Sequence, residues 1–290
     1  MSGTAAPMET PAPSFWRDPS LPFIEARSIE DGRRIRYGAH SHETFSLGAV
    51  TGGRSIYVNG RMRASVGAGA VVLMNPEEVH ACNPLDDAPW SYRMLYVDVG
   101  WLTALQHDLG FDRNGDFQGF STRVSEDVGL HRALGQFHAL LTDDRTDAMR
   151  KEEAAIDFFS AVHRRLLPAS LQRSCKTTEM PAHRQWPEYR LRRAAEYIDA
   201  NFARPLRLGE ICAAAQLSES HLIRAFKRHY GLTPHAYLVN RRVQYSRSQL
   251  KRGRAISDVA LEAGFADQAH LQRVFKRMVA ATPAQYQRMR

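Results

Sequence analysis

Only three cysteines, Cys82, Cys175 and Cys212, occur in this chain of 290 residues. Their number is odd, they lie far apart, and no pair has metal-ligand spacing. That excludes a disulfide framework and points to a reducing cytoplasm. No stretch approaches the roughly 18 uncharged apolar residues that a membrane span requires. Residues 1–14 have neither a basic start nor an apolar run, so they do not read as a secretory signal. They are rich in Pro, Ser, Thr and Ala, and a disordered tail is expected there. Hydrophobic residues make up 43% of the chain, enough for full cores, and the length suggests two domains.

Net charge is +8, but it is unevenly spread. From Glu188 to Arg290 there are 19 Lys/Arg and 8 Asp/Glu, a net of +11; from Met1 to Pro187 there are 20 and 23, a net of −3. A basic domain beside a near-neutral one is the footprint of polyanion binding. A charged solubilising surface would give the same count, so charge alone does not decide.

The last third contains an internal repeat. Leu222, Arg224, Phe226, Lys227, Arg228, Thr233, Pro234 and Tyr237 recur as Leu271, Arg273, Phe275, Lys276, Arg277, Thr282, Pro283 and Tyr286, each 49 residues on, as does His221 at His270. Each unit reads as two helices. In the first unit Leu208, Ile211, Ala214 and Ala215 have helical spacing. Ser218 then caps a second helix that buries Leu222, Ala225, Phe226 and Tyr230, and Gly231 ends it. The second unit repeats this with Ile256, Val259, Ala260, Ala263 and Phe265, then the cap Asp267, then Leu271, Val274 and Phe275. First helices match at an offset of 48 and second helices at 49, so the second unit carries one extra residue in its turn. Two short helices joined by a tight turn, the second one basic, follow the helix-turn-helix plan. A solenoid of two units would be too short to be stable, and it would not need Arg and Lys at matched exposed positions. Between the units, Pro234 to Arg252 reads as one helix carrying Arg241, Arg242, Arg247, Lys251 and Arg252, stopped by Gly253. As a rigid connector it would let the two units enter successive major-groove segments about 34 Å apart.

These residues resemble the AraC/XylS family of bacterial regulators over about Tyr189 to Arg290. The run Ala260-Leu261-Glu262-Ala263-Gly264-Phe265-Ala266-Asp267, then Leu271, Arg273, Phe275, Lys276, then Thr282, Pro283 and Tyr286, is similar to the family's signature. Ala280 departs from it, standing where the first unit has Gly231. The outward positions early in the second helices are Ser220, Ile223, Arg224 and Lys227 in one unit and Gln268, Ala269, Gln272 and Arg273, with Lys276, in the other. The resemblance points to the same positions for DNA contact. Arg can pair bidentately with guanine and Gln with adenine. His221 and His270, just after the caps, read as packing or phosphate residues.

Phe23 to Val99 reads as short strands separated by Gly, Pro and Asp turns, suggesting a small barrel or sandwich. Asn59-Gly60 between Ser55–Val58 and Arg61–Ala64 predicts a hairpin with those two residues as its loop. Two segments resemble cupin motifs: His40-Ser41-His42-Glu43, and Gly69 to His80 with Asn83 following. His40 and His42 share one side of a strand, and with His80 they could hold a divalent metal. Glu43 would point the other way and stands closer to His42 than the usual cupin glutamate. The preferred reading is therefore a pocket lined by these histidines without metal or other cofactor. Tyr57, Trp90, Tyr92 and Tyr96 are further pocket candidates. Val128 to Leu167 has helical period, with stripes Leu130, Leu134, Phe137, Leu141 and Ala155, Phe159, Val162, Leu166 around a turn at Thr142–Thr146.

The expected fold is therefore multidomain α+β. Its parts are a tail (1–14), a cupin-like effector-binding barrel (15–101), a helical packing or dimerisation hairpin (102–168), a linker (169–187) and an all-α domain with two helix-turn-helix units (188–290). The expected function is sequence-specific DNA binding that responds to a small-molecule effector. A homodimer, contact with RNA polymerase in an activator, a cytoplasmic location and no enzymatic activity go with it. The rival readings are a cupin metalloenzyme of dioxygenase type fused to a DNA-binding module, and a barrel that serves only to dimerise.

Overall fold

A computed structural model describes residues 13–85, 89–111, 115–167 and 185–288. Most of the expected tail and of the linker, at 1–12 and 168–184, lies outside them. Eight strands come first: β1 (Ser14–Trp16), β2 (Ile24–Ile29), β3 (Phe45–Gly52), β4 (Arg54–Asn59), β5 (Met62–Gly67), β6 (Val71–Met74), β7 (His80–Pro84) and β8 (Ser91–Val97). Helix α1 (Val99–Asp108), strand β9 (Val124–Ser125) and helices α2 (Val128–Leu141) and α3 (Ala148–Leu166) follow. One antiparallel sheet runs β1-β2-β8-β3-β6-β9 and a second runs β5-β4-β7.

Strands β3, β6 and β8 are nearly continuous apolar runs because the large sheet is covered on both faces. Alternation assigns the faces. Ala26, Phe45, Leu47, Val71, Leu73, Leu95 and Val97 point outward into a core shared with Leu102, Leu130, Leu134, Phe137, Phe159 and Val162 of α1–α3. Ile29, Val50, Val72, Met74, Tyr92, Met94 and Tyr96 point inward, toward Tyr57 and Val66 of the small sheet. Both helical stripes read from the sequence thus cover the sheet, capped by Asp127 and Asp147, whose side chains accept from Leu130 N and Arg150 N.

Four sequence expectations shift. Ser14 belongs to β1 and pairs with Ser28, so the ordered chain starts before the expected tail ends. Asn59 pairs with Met62, so the hairpin loop is Gly60-Arg61 rather than Asn59-Gly60. Gly60, at φ 56°, takes the left-handed position, while the Asn59 amide is held inside the sheet by Tyr57 and Glu78. Helix α1 straddles the expected boundary at 101/102; its first turn is capped by Asp98, a signal that a purely β-rich reading of this stretch does not use. Helix α4 (Gln185–Asn201) begins inside the expected linker.

Beyond α4 come α5 (Leu208–Ala215) and α6 (Glu219–Tyr230), then α7 (Pro234–Lys251), then α8 (Ile256–Glu262), α9 (Gln268–Val279) and α10 (Pro283–Arg288). The two helix pairs form as the repeat predicts. Gln216 and Gly264, 48 apart, both turn left-handed after the first helix. One residue separates Gln216 from the cap Ser218, and two separate Gly264 from the cap Asp267, so the extra residue sits in the second turn. Thr233 caps α7, with Pro234 in its first turn. Leu238 of α7 packs into the first unit's core, and Val243 and Leu250 pack into the second's. One helix spanning two cores fixes the units relative to each other.

Candidate functional site: an interdomain cavity and two recognition helices

Across the inner face of the large sheet, Arg27 of β2 stands opposite Met94 of β8, Met94 opposite Gly48 of β3, and Gly48 opposite Val72 of β6. This row floors a cavity with about 730 Å³ of free space including its mouth. Gly48 leaves room there for the Met94 side chain, whose Cε would lie 2.6 Å from a Cβ at this position and would have to move. His40, His42, His80, Trp90, Tyr92 and Tyr96 line the walls, as expected from sequence; Arg27, Tyr37, Gln244 and Arg247 join them without having been foreseen. Tyr57 does not line it. Its ring is fully buried between the sheets and its hydroxyl donates to Leu73 O at 2.7 Å, a packing role.

The three histidines converge, with ring centroids 4.7–4.8 Å apart. His40 and His80 form a reciprocal backbone bridge, N to O at 3.1 and 2.9 Å. Nδ1 of His40 lies 2.7 Å from Gly38 O, and Nδ1 of His80 lies 2.8 Å from Glu78 O. A carbonyl can only accept, so both rings carry the proton on Nδ1 and offer a bare Nε2. His42 is different: its Nδ1 faces the Arg247 Nη1 donor at 3.1 Å, which leaves its proton on Nε2. Burial, reinforced by His80, pushes His40 down to about 3; burial pushes His80 down to about 4 and His42 well below the usual range. All three are neutral at neutral pH.

Ligand atoms of the trio lie within 4.8 Å of one another, close enough to gather on one ion. The surroundings suit a cation poorly. Two guanidinium groups share the cavity, His42 already accepts from one of them, and no Asp or Glu among the described residues lines it. Glu43 is turned away to Arg241, 2.8 Å distant.

The fourth wall is helix α7. Asn240, Gln244, Arg247 and Lys251 fall at helical spacing on one stripe, and all four dock on the barrel. Asn240 is fully buried; it accepts from Ser41 N at 3.3 Å and donates to Ser41 Oγ at 2.9 Å. Gln244 donates to Ser41 O at 2.6 Å, and Lys251 pairs with Glu25. Beside the stripe, Arg241 joins Glu43, Glu77 and Asp199, while Arg242 caps Phe202 O and Arg204 O. Most of the positive charge that α7 adds to the domain is therefore spent on protein contacts, not presented to a polyanion.

The recognition helices remain open. Ile223, Arg224 and Lys227 on α6, and Gln268, Ala269, Gln272, Arg273 and Lys276 on α9, are exposed. The side chain of Ser220 is not among those described. His221 is exposed; the His270 ring packs edge-on to Phe265 at 5.2 Å.

Residues 23–159 match the AraC-like ligand binding domain and residues 211–289 a helix-turn-helix domain. The chain belongs to the AraC family of DNA-binding transcription regulators, with its ligand-binding domain in the N-terminal half. It is similar to the uncharacterized HTH-type transcriptional regulator YbfI of Bacillus subtilis (strain 168), 24% identical over 88% of this chain and 87% of that one. It is also similar to the HTH-type transcriptional activator RhaS of Klebsiella pneumoniae (strain 342), 23% identical over 82% and 83%. Among solved structures, unsaturated fatty acid bound wild-type ToxT from Vibrio cholerae strain SCE256 shares the fold, with a TM-score of 0.55 at 17% identity over 95% of each chain. Among the described residues no helix is long and apolar enough to cross a membrane.

Proposed function

We propose that this regulator reads DNA with α6 and α9 and is switched by a small molecule held between the barrel and α7. The observation that carries this is the position of α7. Its Gln244 and Arg247 line the cavity, while its Leu238, Val243 and Leu250 belong to the cores of the two helix-turn-helix units. A molecule that displaces Arg247 must change how those units sit on the barrel. Coupling then follows if the effector prefers one arrangement. Arg224 and Lys227, then Gln268, Gln272, Arg273 and Lys276, serve as the DNA-contacting set, with Ser220, Ile223 and Ala269 beside them. His40, His42, His80, Trp90, Tyr92 and Tyr96 serve the effector.

Copies pair through the α2–α3 hairpin, where Val128, Met149 and Ile156 are exposed. The protein acts in the cytoplasm, touches RNA polymerase where it activates, and has no catalytic role. The test combines selection of genomic DNA fragments with thermal shift against a metabolite panel. A compound that both stabilises the protein and changes its affinity for a selected fragment supports the reading. A protein that binds its fragments identically with every stabilising compound overturns it.

A further inference from the structure

Arg27 is buried at 2% exposure, and its Nε and Nη2 have no hydrogen-bond partner. Among the described residues no carboxylate pairs with it. Its company is aromatic: the guanidinium lies 4.7 Å from the Phe15 ring centre and 5.6 Å from that of Tyr37. Arg247, the other cation of the cavity, is also buried, and each partner seen is neutral: Tyr286 Oη at 3.2 Å, His42 Nδ1 at 3.1 Å and Gln244 Oε1 at 3.3 Å. Two guanidinium groups thus face one cavity with no counter-ion among the described residues. Guanidinium does not shed its proton, so this arrangement carries a desolvation cost offset only by cation–π contacts and bonds to neutral groups, with no ion pair.

Resting on the effector reading above, the geometry points to an organic carboxylate as the ligand, its carboxyl group taken by Arg27 and Arg247 and its apolar body by the tyrosines, Trp90 and Met94. A carboxylate accepts two parallel N–H bonds from one guanidinium and supplies the missing charge. Bare Nε2 atoms on His40 and His80 can accept a hydroxyl or amine of the same molecule, while His42 offers a donor. Phe15, stacked on Arg27, also packs edge-on to Tyr286 of α10 at 5.7 Å. A carboxylate held by Arg27 therefore sits beside a ring that also touches the DNA-binding half.

The full chain is titrated with benzoate, phenylacetate and hexanoate beside benzamide, phenylacetamide and hexanamide, and with zinc alone. Melting is also compared between wild type and Arg27→Met without ligand. Acids are expected to bind about tenfold or more tighter than their amides, a preference lost in Arg27→Met. The ligand-free variant is expected to melt several degrees above wild type, because an unpaired buried charge is gone. Amides binding as well as acids, zinc binding in preference to both, or a ligand-free variant that melts below wild type overturns the anion assignment and leaves an effector cavity standing. Acids that bind through Arg27 yet leave affinity for selected DNA fragments unchanged overturn the effector reading instead.

Discussion

Arg247 of helix α7 donates from Nη1 to Nδ1 of His42, 3.1 Å away and 205 residues earlier in the chain. This bond joins the helix shared by both DNA-binding units to the cavity of the barrel. It also fixes the His42 tautomer opposite to that of His40 and His80.

The docking of α7 is expected to depend on Asn240. Asn240→Leu leaves Ser41 N buried without a partner and takes the Asn240 donor from Ser41 Oγ, which keeps only its 3.4 Å bond to Glu77 Oε2, costing about 1–3 kcal/mol. The contacts of α7 with the barrel are mostly polar, and Phe15 of β1 is an apolar link into the second unit's core, so losing the Asn240 bonds loosens the halves without unfolding either core. Calorimetry is expected to resolve two melting transitions in the variant against one in the wild type. A single transition at the wild-type temperature would show that Asn240 does not hold the interface.

For DNA reading, Arg273→Ala is expected to cost about 1–3 kcal/mol and to relax preference at one base pair. Selection of binding sites before and after the substitution checks this. Equal weakening across all sequences would reassign Arg273 to the phosphate backbone, and the salt dependence of binding would then fall by about one ion.

Two turns of the second unit give opposite predictions. Ala280 closes α9 in the left-handed region at φ 54°, where a Cβ costs roughly 1 kcal/mol. Ala280→Gly is therefore expected to raise stability by about 1 kcal/mol, less the entropy that glycine adds to the unfolded chain. Gly264 lies at φ +79°, and a Cβ there would stand only 2.6 Å from Ala203 O. Gly264→Ala has both strain and a backbone clash, and is expected to destabilise by more than about 1 kcal/mol. Urea denaturation of the two variants decides both signs.

Acid is expected to weaken the fold. His40 sits at about 3, and His80 and His138 at about 4, chiefly through burial. In the unfolded chain they titrate near 6.5, so below that pH the unfolded state binds more protons and stability falls as pH falls. Each histidine contributes up to about 2 kcal/mol of loss between about pH 7 and pH 5. His80→Gln is expected to flatten this slope in denaturant melts; an unchanged slope would mean that His80 is already charged in the folded protein.

The helix-turn-helix units were legible because their signals are local. Apolar spacing and the Asp267 cap act within a few turns, Ser218 takes the N-cap position without a side-chain hydrogen bond, the offset of 49 residues repeats the pattern, and the exposed faces of α6 and α9 follow from which faces are buried. The trio His40, His42 and His80 was legible as a set only through the resemblance of its two segments to cupin motifs; the bridge that puts His40 beside His80 is a tertiary contact. Tyr57 was misread because an aromatic on a strand looks the same whether it faces a cavity or fills a core.

Sequence alone determined the β-rich stretch, the α2–α3 hairpin, the repeat and the basic last third, but not α1 or where α4 begins. Tertiary structure decided where the cavity closes and what closes it. In the sequence Arg241, Arg242, Arg247, Lys251 and Arg252 read only as the positive charge of a connector helix, because periodicity tells which residues share a face and not what that face meets. Arg27 likewise reads as an ordinary strand residue. Its burial beside Arg247 and its missing counter-ion exist only once β2 and α7, more than two hundred residues apart, are folded together.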